Sequence, residues 1–155
     1  MNEKKLTPGQ AAQTIRQFCA YQERSHAEVK DKLYRYGLYS KEVDEILSNL
    51  VQDNYLNEER FAIQFAGGHF RMKKWGRVKI KHELKQKQVS DYCIKKALGA
   101  IDEDQYFATL KELFEQKLKT LGSEKNIFTK KKKLYGFLLQ KGYETNLIGE
   151  LVNSM

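Results

Sequence analysis

Proline occurs once in 155 residues, and cysteine only twice, at Cys19 and Cys93. Neither cysteine belongs to a C-x-x-C pair or has histidine at ligand spacing, which argues against a zinc ribbon. Two buried reduced thiols are the favoured reading, with a Cys19–Cys93 disulfide as the alternative that a reducing compartment disfavours. No apolar run reaches the roughly 18 residues of a membrane span. The opening "MNEKKLTPGQ" has no apolar signal core, so a cytoplasmic location with no membrane contact is expected. The sequence also lacks a glycine-rich phosphate loop, a nucleophile elbow and the acid and histidine spacing of a metalloenzyme. His26, His69 and His82 are scattered and read as surface or packing residues. The prediction is a protein that is not an enzyme, with no catalytic residue, cofactor or metal ligand.

What the chain does hold is charge and helix-forming residues. Charged residues make up 31% and apolar ones 41%, which favours a large surface relative to volume. Lysine, glutamate, leucine and glutamine dominate, and these favour helices over strands. The net charge of +8 is unevenly placed. Residues 69–96 carry ten basic against two acidic side chains, or +8, and residues 117–141 eight against one, or +7. Residues 41–59 sum to −5 and 97–116 to −4. Two basic blocks separated by acidic ones give the surface direction toward an anionic partner.

"LYRYGL" at 33–38, "LKQKQV" at 84–89 and "LLQKGY" at 138–143 are copies of one arrangement. The apolar positions Val29, Leu33, Leu38, Val43, Ile46, Leu47 and Leu50 recur 51 residues later as Ile80, Leu84, Val89, Ile94, Ala97, Leu98 and Ile101. A further 54 residues on stand Leu134, Leu138, Tyr143, Ile148, Leu151, Val152 and Met155. Seven matched positions in three copies define an internal repeat of about fifty residues. Within it, a leucine near a helix end, a residue suited to the left-handed region and an apolar residue after it spell a Schellman ending. Gly37 and Gly142 fill the left-handed position without strain. Gln88 fills it in the middle copy and is expected to cost about 1 kcal/mol.

Helix starts are legible as well. Thr7 with Pro8, Ser25 with Glu28, Ser40, Asn57, Ser90 and Thr129 are the expected opening residues. A long helix through Ile15 and Phe18, another through Phe61, Phe65 and Phe70, and a third over about 103–121 with Phe107, Leu110, Leu113, Phe114 and Leu118 precede the three shorter pairs. Gly67 and Gly68 are candidates for a kink or a close backbone approach. The expected fold is all-α: an elongated tandem array of three three-helix, helix-turn-helix-like repeats at 1–52, 53–102 and 103–155, about nine helices in one continuous domain. Asp102, Glu103 and Asp104 read as the acidic start of a helix rather than a cation site.

The leading candidate surface is "FRMKKWGRVKIKHELKQK". With Ile80 and Leu84 facing a core, Arg77, Lys81 and Lys85 align at four-residue spacing, joined by Arg71, Lys73, Lys74 and Lys79. Such a line suits phosphates or an acidic groove; a solvated lysine-rich face is the bland counterpart. Lys130, Lys131, Lys132 and Lys133 form the second block, spread around more than a turn, so that part of it is solvation. The lysines act as point charges and offer no arginine fork for guanine. Trp75 reads either as a base-stacking ring or as an apolar staple. Tyr34, Tyr36, Tyr39 and Tyr55 read mostly as core edges, with an aromatic partner site as the alternative.

"RSHAEVKDKLYRYGL", "VDEILSNLVQDNYLNEERFA" and "GRVKIKHELKQKQVSDYCIKKAL" resemble the RecX family of bacterial recombination regulators. The resemblance is strong over about 20–101 and continues by repeat architecture, with a departure at Trp75, Gly76, Arg77 and Val78, where the family usually carries proline and arginines. It implies an elongated, non-enzymatic protein of three-helix repeats that binds the RecA recombinase filament on DNA, by its groove or its growing end, and suppresses ATP hydrolysis and strand exchange. A monomer is expected from the closed first and last units of the array. It also implies phosphate contacts with single- or double-stranded DNA. The alternatives are a stand-alone helix-turn-helix transcription regulator, which requires sequence preference, and a nucleic-acid enzyme, for which no acid or metal cluster is present.

Overall fold

The computed structural model describes residues 5–155; residues 1–4, which open the first repeat in sequence, lie outside the described residues. Among the described residues there are nine helices and no strand: α1 (Pro8–Tyr21), α2 (His26–Arg35), α3 (Ser40–Gln52), α4 (Glu58–Lys73), α5 (Arg77–Gln86), α6 (Asp91–Gly99), α7 (Glu103–Thr120), α8 (Ile127–Lys141) and α9 (Thr145–Asn153). The all-α reading and the helix count hold.

The starts follow local hydrogen-bonding chemistry. Thr7 and Ser25 each close a capping box, with Gln10 and Glu28. Asn57 accepts from the amide of Arg60, and Ser90 from that of Cys93. Two expected caps are corrected. Ser40 is the first residue of α3 and its N-cap is Tyr39, whose amide donates to Glu42. At α8, Asn126 rather than Thr129 caps, accepting from the amides of Phe128 and Thr129. Asn126 sits where its short amide reaches both orphan donors, whereas Thr129 is already inside the first turn.

The endings of the middle and last copies close as expected, and the first shares their left-handed position. Val89 donates to Leu84 O and Tyr143 to Leu138 O, the six-residue closure of a Schellman turn. Gly37 has φ +87°, Gly142 +95° and Gln88 +63°. Asn54 at +65° ends α3 the same way, with Tyr55 donating to Leu50 O. Val29, Ile80 and Leu134, and likewise Leu33, Leu84 and Leu138, are completely buried. The three copies thus share their core register, although the last matched position, Met155, is 38% exposed.

The chain divides into two compact units. One runs through Gln64 and takes in Leu84–Lys96; the other comprises Phe65–Glu83 and Ala97–Met155. In the first, Ala11, Ile15, Val29, Leu33, Val43 and Leu56 centre a core from α1 to the start of α4. The turns there are tied by arginines. Arg24 donates to Phe18 O and lies 3.6 Å from the Phe18 ring centroid. Arg60 pairs with Glu23 and bonds both Asn54 Oδ1 and Asn54 O. In the second, Phe70, Ile80, Tyr106, Leu110, Leu134, Tyr143 and Ile148 are buried. The stripe of α7 turns on Tyr106, fully buried, while Phe107 is 41% exposed. At Gly67 and Gly68, read as a place for a kink or a close backbone approach, α4 runs on as one helix.

Candidate functional site

The start of α5 lies inside the second unit. Its amides have no intrahelical acceptors, and residues distant in sequence supply them. Gly76 N donates to Lys141 O at 2.8 Å, Val78 N to Gly142 O at 2.9 Å and Lys79 N to the same oxygen at 3.4 Å. The amide of Arg77 donates to the Tyr106 hydroxyl at 2.9 Å. The C-terminal carbonyls of α8 thus complete the N-terminus of α5, so those donors are not turned toward an external phosphate.

This joint needs glycine on both sides. A Cβ at Gly76 would stand 2.3 Å from Gly142 O, and a Cβ at Gly142 would stand 2.2 Å from Lys79 Cβ. The close backbone approach anticipated at Gly67 and Gly68 occurs at Gly76 and Gly142. Around the joint, Tyr106 donates to Glu144, and Tyr143 to Lys74 O at 2.9 Å. Burial, reinforced by the bond to Glu144, raises the Tyr106 phenol well above the ordinary tyrosine value. Burial likewise raises Tyr143. Arg77 pairs with Glu144 at 2.9 Å and Glu103 at 4.0 Å, and its guanidinium lies 3.9 Å from the Tyr106 ring centroid.

The basic residues therefore divide by environment. Arg77 is engaged by acids of its own unit, with a side chain 23% exposed. Lys74 pairs with Glu112 at 3.5 Å. Lys73 and Lys79 flank Trp75, their ammonium groups 5.3 and 4.7 Å from its ring. Trp75 also stacks on His69 at 4.6 Å, and His69 bonds Phe65 O at 2.8 Å. Arg71 and Lys81 are exposed and form no ion pair among the described residues. Arg71 folds over Gly67, where a Cβ would lie 2.8 Å from its guanidinium. Lys85 belongs to the other unit and approaches Asp91 at 3.9 Å.

An open groove of about 280 Å³ between α4 and α7 is lined by Phe70, Arg71, Lys74, Gln105, Thr109 and Glu112, among others. Sequence reasoning missed its α7 wall, because nothing in the spacing of Gln105, Thr109 and Glu112 aligns them with α4. On α8, Lys133 pairs with Glu124 at 3.4 Å. Lys130, Lys131 and Lys132 form no ion pair among the described residues. Lys132 is exposed, and Lys130 and Lys131 are half-buried. Asp102 caps α7 by accepting from the Gln105 amide at 2.9 Å, as its acidic start predicts. Among the described residues no cluster of three or more His, Cys, Asp or Glu is placed to hold a metal. No helix among them is long and apolar enough to cross a membrane. Cys19 and Cys93 are buried and unpaired, and burial pushes the Cys19 thiol up to about 11. Tyr36 joins the core while Tyr34, Tyr39 and Tyr55 are exposed.

Comparison with known proteins places this arrangement. Residues 57–98 match the second three-helix domain of RecX, and 103–152 the third. The Regulatory protein RecX of Chlorobaculum tepidum is 33% identical over 131 residues, covering 83% of this chain and 79% of that protein. Those of Clostridium tetani and Bacillus thuringiensis are each 29% identical over 85% and 84% of this chain. The chain spans 61% and 48% of their lengths. The crystal structure of RecX from Lactobacillus salivarius superposes with a TM-score of 0.84 at 22% identity, covering 95% of both chains. A second crystal structure, of regulatory protein RecX, also gives 0.84, at 18% identity over 96% of this chain and 72% of the other, so the fold is shared as well. With the repeat register, the helix order and a relative one-third identical all in agreement, this chain belongs to the RecX family of regulatory proteins.

Proposed function

We propose that this protein regulates homologous recombination by binding the RecA filament on DNA and lowering its ATP hydrolysis and strand exchange, acting without catalysis of its own, as a monomer in the cytoplasm. Family membership supports the regulatory role. The single observation that carries a polyanion or acidic-surface contact is that several of the candidate cations are in no ion pair among the described residues, Arg71 and Lys81 in the first block and Lys130, Lys131 and Lys132 in the second, whereas Lys74, Arg77, Lys85 and Lys133 are paired. Lys73, Lys74, Lys79, Lys85 and Lys133 support them from looser internal contacts. Arg77 positions the start of α5 in this reading rather than reaching the partner. The three repeats at 1–52, 53–102 and 103–155 are proposed as the modules that carry these cations.

The test mixes the full chain with RecA filaments on single-stranded DNA and follows ATP hydrolysis and co-sedimentation. Dose-dependent inhibition with co-sedimentation at moderate salt is expected. No inhibition and no co-sedimentation overturn the reading. A defined recognition site emerging from a random-duplex selection favours the transcription-regulator alternative instead.

A further inference from the structure

The structure reassigns the ring available for base stacking. Trp75 is already packed on His69 and flanked by Lys73 and Lys79. Phe128, at the second position of α8, is 81% exposed. Ile127 beside it is 48% exposed. An isolated phenylalanine in water has no local benefit there: Asn126 already satisfies the neighbouring amides, and the core stripe of α8 is carried by Leu134 and Leu138. Lys132 follows Phe128 by four residues, on the same helix face. Lys125, Lys130 and Lys131 adjoin it in sequence; none of these four lysines is within ion-pair distance of an acid among the described residues, the pair to Glu124 being made by Lys133 with Lys130 in its field.

We propose that the start of α8 is a single-stranded nucleic-acid site, in which Phe128 stacks on one base while Lys125, Lys130, Lys131 and Lys132 contact flanking phosphates. Charge complementarity selects a polyanion, and one projecting ring suits an unpaired base. A duplex offers phosphates but keeps its base faces stacked. A bilayer engages a continuous apolar helix face, whereas Phe128 and Lys132 alternate apolar with charged on this one. The site deepens the polyanion reading given above and rests on it.

The experiment titrates the full chain with a thymine 20-mer, the same sugar-phosphate strand without bases, and a 20-base-pair duplex, by fluorescence anisotropy over a series of salt concentrations. Phe128→Ala is expected to weaken the thymine strand roughly 5- to 100-fold, to leave the abasic strand and the duplex within about twofold and to leave the salt slope unchanged. Phe128→Trp restores binding, which separates stacking from a folding defect. A Lys130→Ala, Lys131→Ala, Lys132→Ala variant weakens all three ligands and flattens the slope by about 2 to 3 on the duplex. If Phe128→Ala has no effect on the thymine strand, or an equal effect on the abasic strand, the stacking site is overturned while the lysine result still stands. An unchanged slope in the lysine variant overturns the underlying polyanion reading. Loss of binding to phosphatidylserine vesicles or polyglutamate in Phe128→Ala, with thymine binding intact, assigns the ring to a membrane or an acidic protein and likewise overturns the proposal.

Discussion

Arg77 shows how a side chain that belongs to a cationic line by spacing can be used differently in space. Its guanidinium rests on Tyr106 and pairs with Glu144, 67 residues away. Replacing it with alanine leaves Glu144 partly buried without its cation, a change expected to cost about 1–3 kcal/mol in urea unfolding. The salt slope of DNA binding should stay unchanged, whereas Arg71→Ala with Lys81→Ala should lower it with little change in stability. A reduced slope for Arg77→Ala would return that residue to the contact surface. Tyr106 and Tyr143 carry a second residue-scale expectation, because their folded values are raised above the unfolded value of about 10. The folded state then holds protons that the unfolded state releases above that pH. The stabilisation is therefore fully present below about pH 10 and falls as pH rises toward the folded values, by up to about 1.4 kcal/mol per pH unit for each phenol. Tyr106→Phe should make stability measured between pH 10 and 11.5 less steep; an unaltered slope would show that its phenol is not held protonated. The four-residue spacing of Arg77, Lys81 and Lys85 was legible in sequence, but the pairing of Arg77 was not, since no local signal joins it to Glu144.

At the scale of elements, the helix endings were the most legible part of the fold, because each is decided within six residues. Gln88 takes the left-handed position that glycine fills in the other two copies. Gln88→Gly removes a clash of about 1–2 kcal/mol and adds unfolded-state entropy of about 0.5–1 kcal/mol. A net gain of about 0.5–1 kcal/mol in denaturant unfolding is expected, and a loss would contradict the strain. Gly142 carries two demands where Gln88 carries one: a positive φ and contact with Lys79. Gly142→Ala should therefore cost about 2–5 kcal/mol. Stability within 1 kcal/mol of wild type would mean that the α5–α8 joint yields easily. Thr129 and Asn126 illustrate what local reading leaves open, since both are competent caps three residues apart and it is Asn126 whose side chain accepts from the amides of Phe128 and Thr129. Tyr106 displaced Phe107 from the expected stripe for a similar reason: its hydroxyl finds Arg77 N and Glu144, so a polar ring is buried without penalty.

At the scale of the whole molecule, repetition in sequence and compactness in space divide the chain differently. The sequence repeats three times, yet the boundary between the two compact units falls within α4, α5 and α6. The joint at α5 gives the physical reason for part of this. All four amides from Gly76 to Lys79 find their acceptors in residues 106–142. A repeat array stabilised by neighbour contacts predicts that a middle module loses stability when its neighbour is removed. A chain ending at residue 102 removes Lys141 O, Gly142 O and the Tyr106 hydroxyl together. It also removes the ring that packs on Phe70 at 5.7 Å. In hydrogen exchange the amides of residues 76–79 should be strongly protected in the full chain and should exchange at nearly unfolded rates in the shortened one. The amides of α2, whose core lies within the first unit, serve as the internal reference and should stay protected. Equal protection of residues 76–79 in both chains would show that the middle repeat closes its own helix start, and that the contact with α8 adds nothing to it.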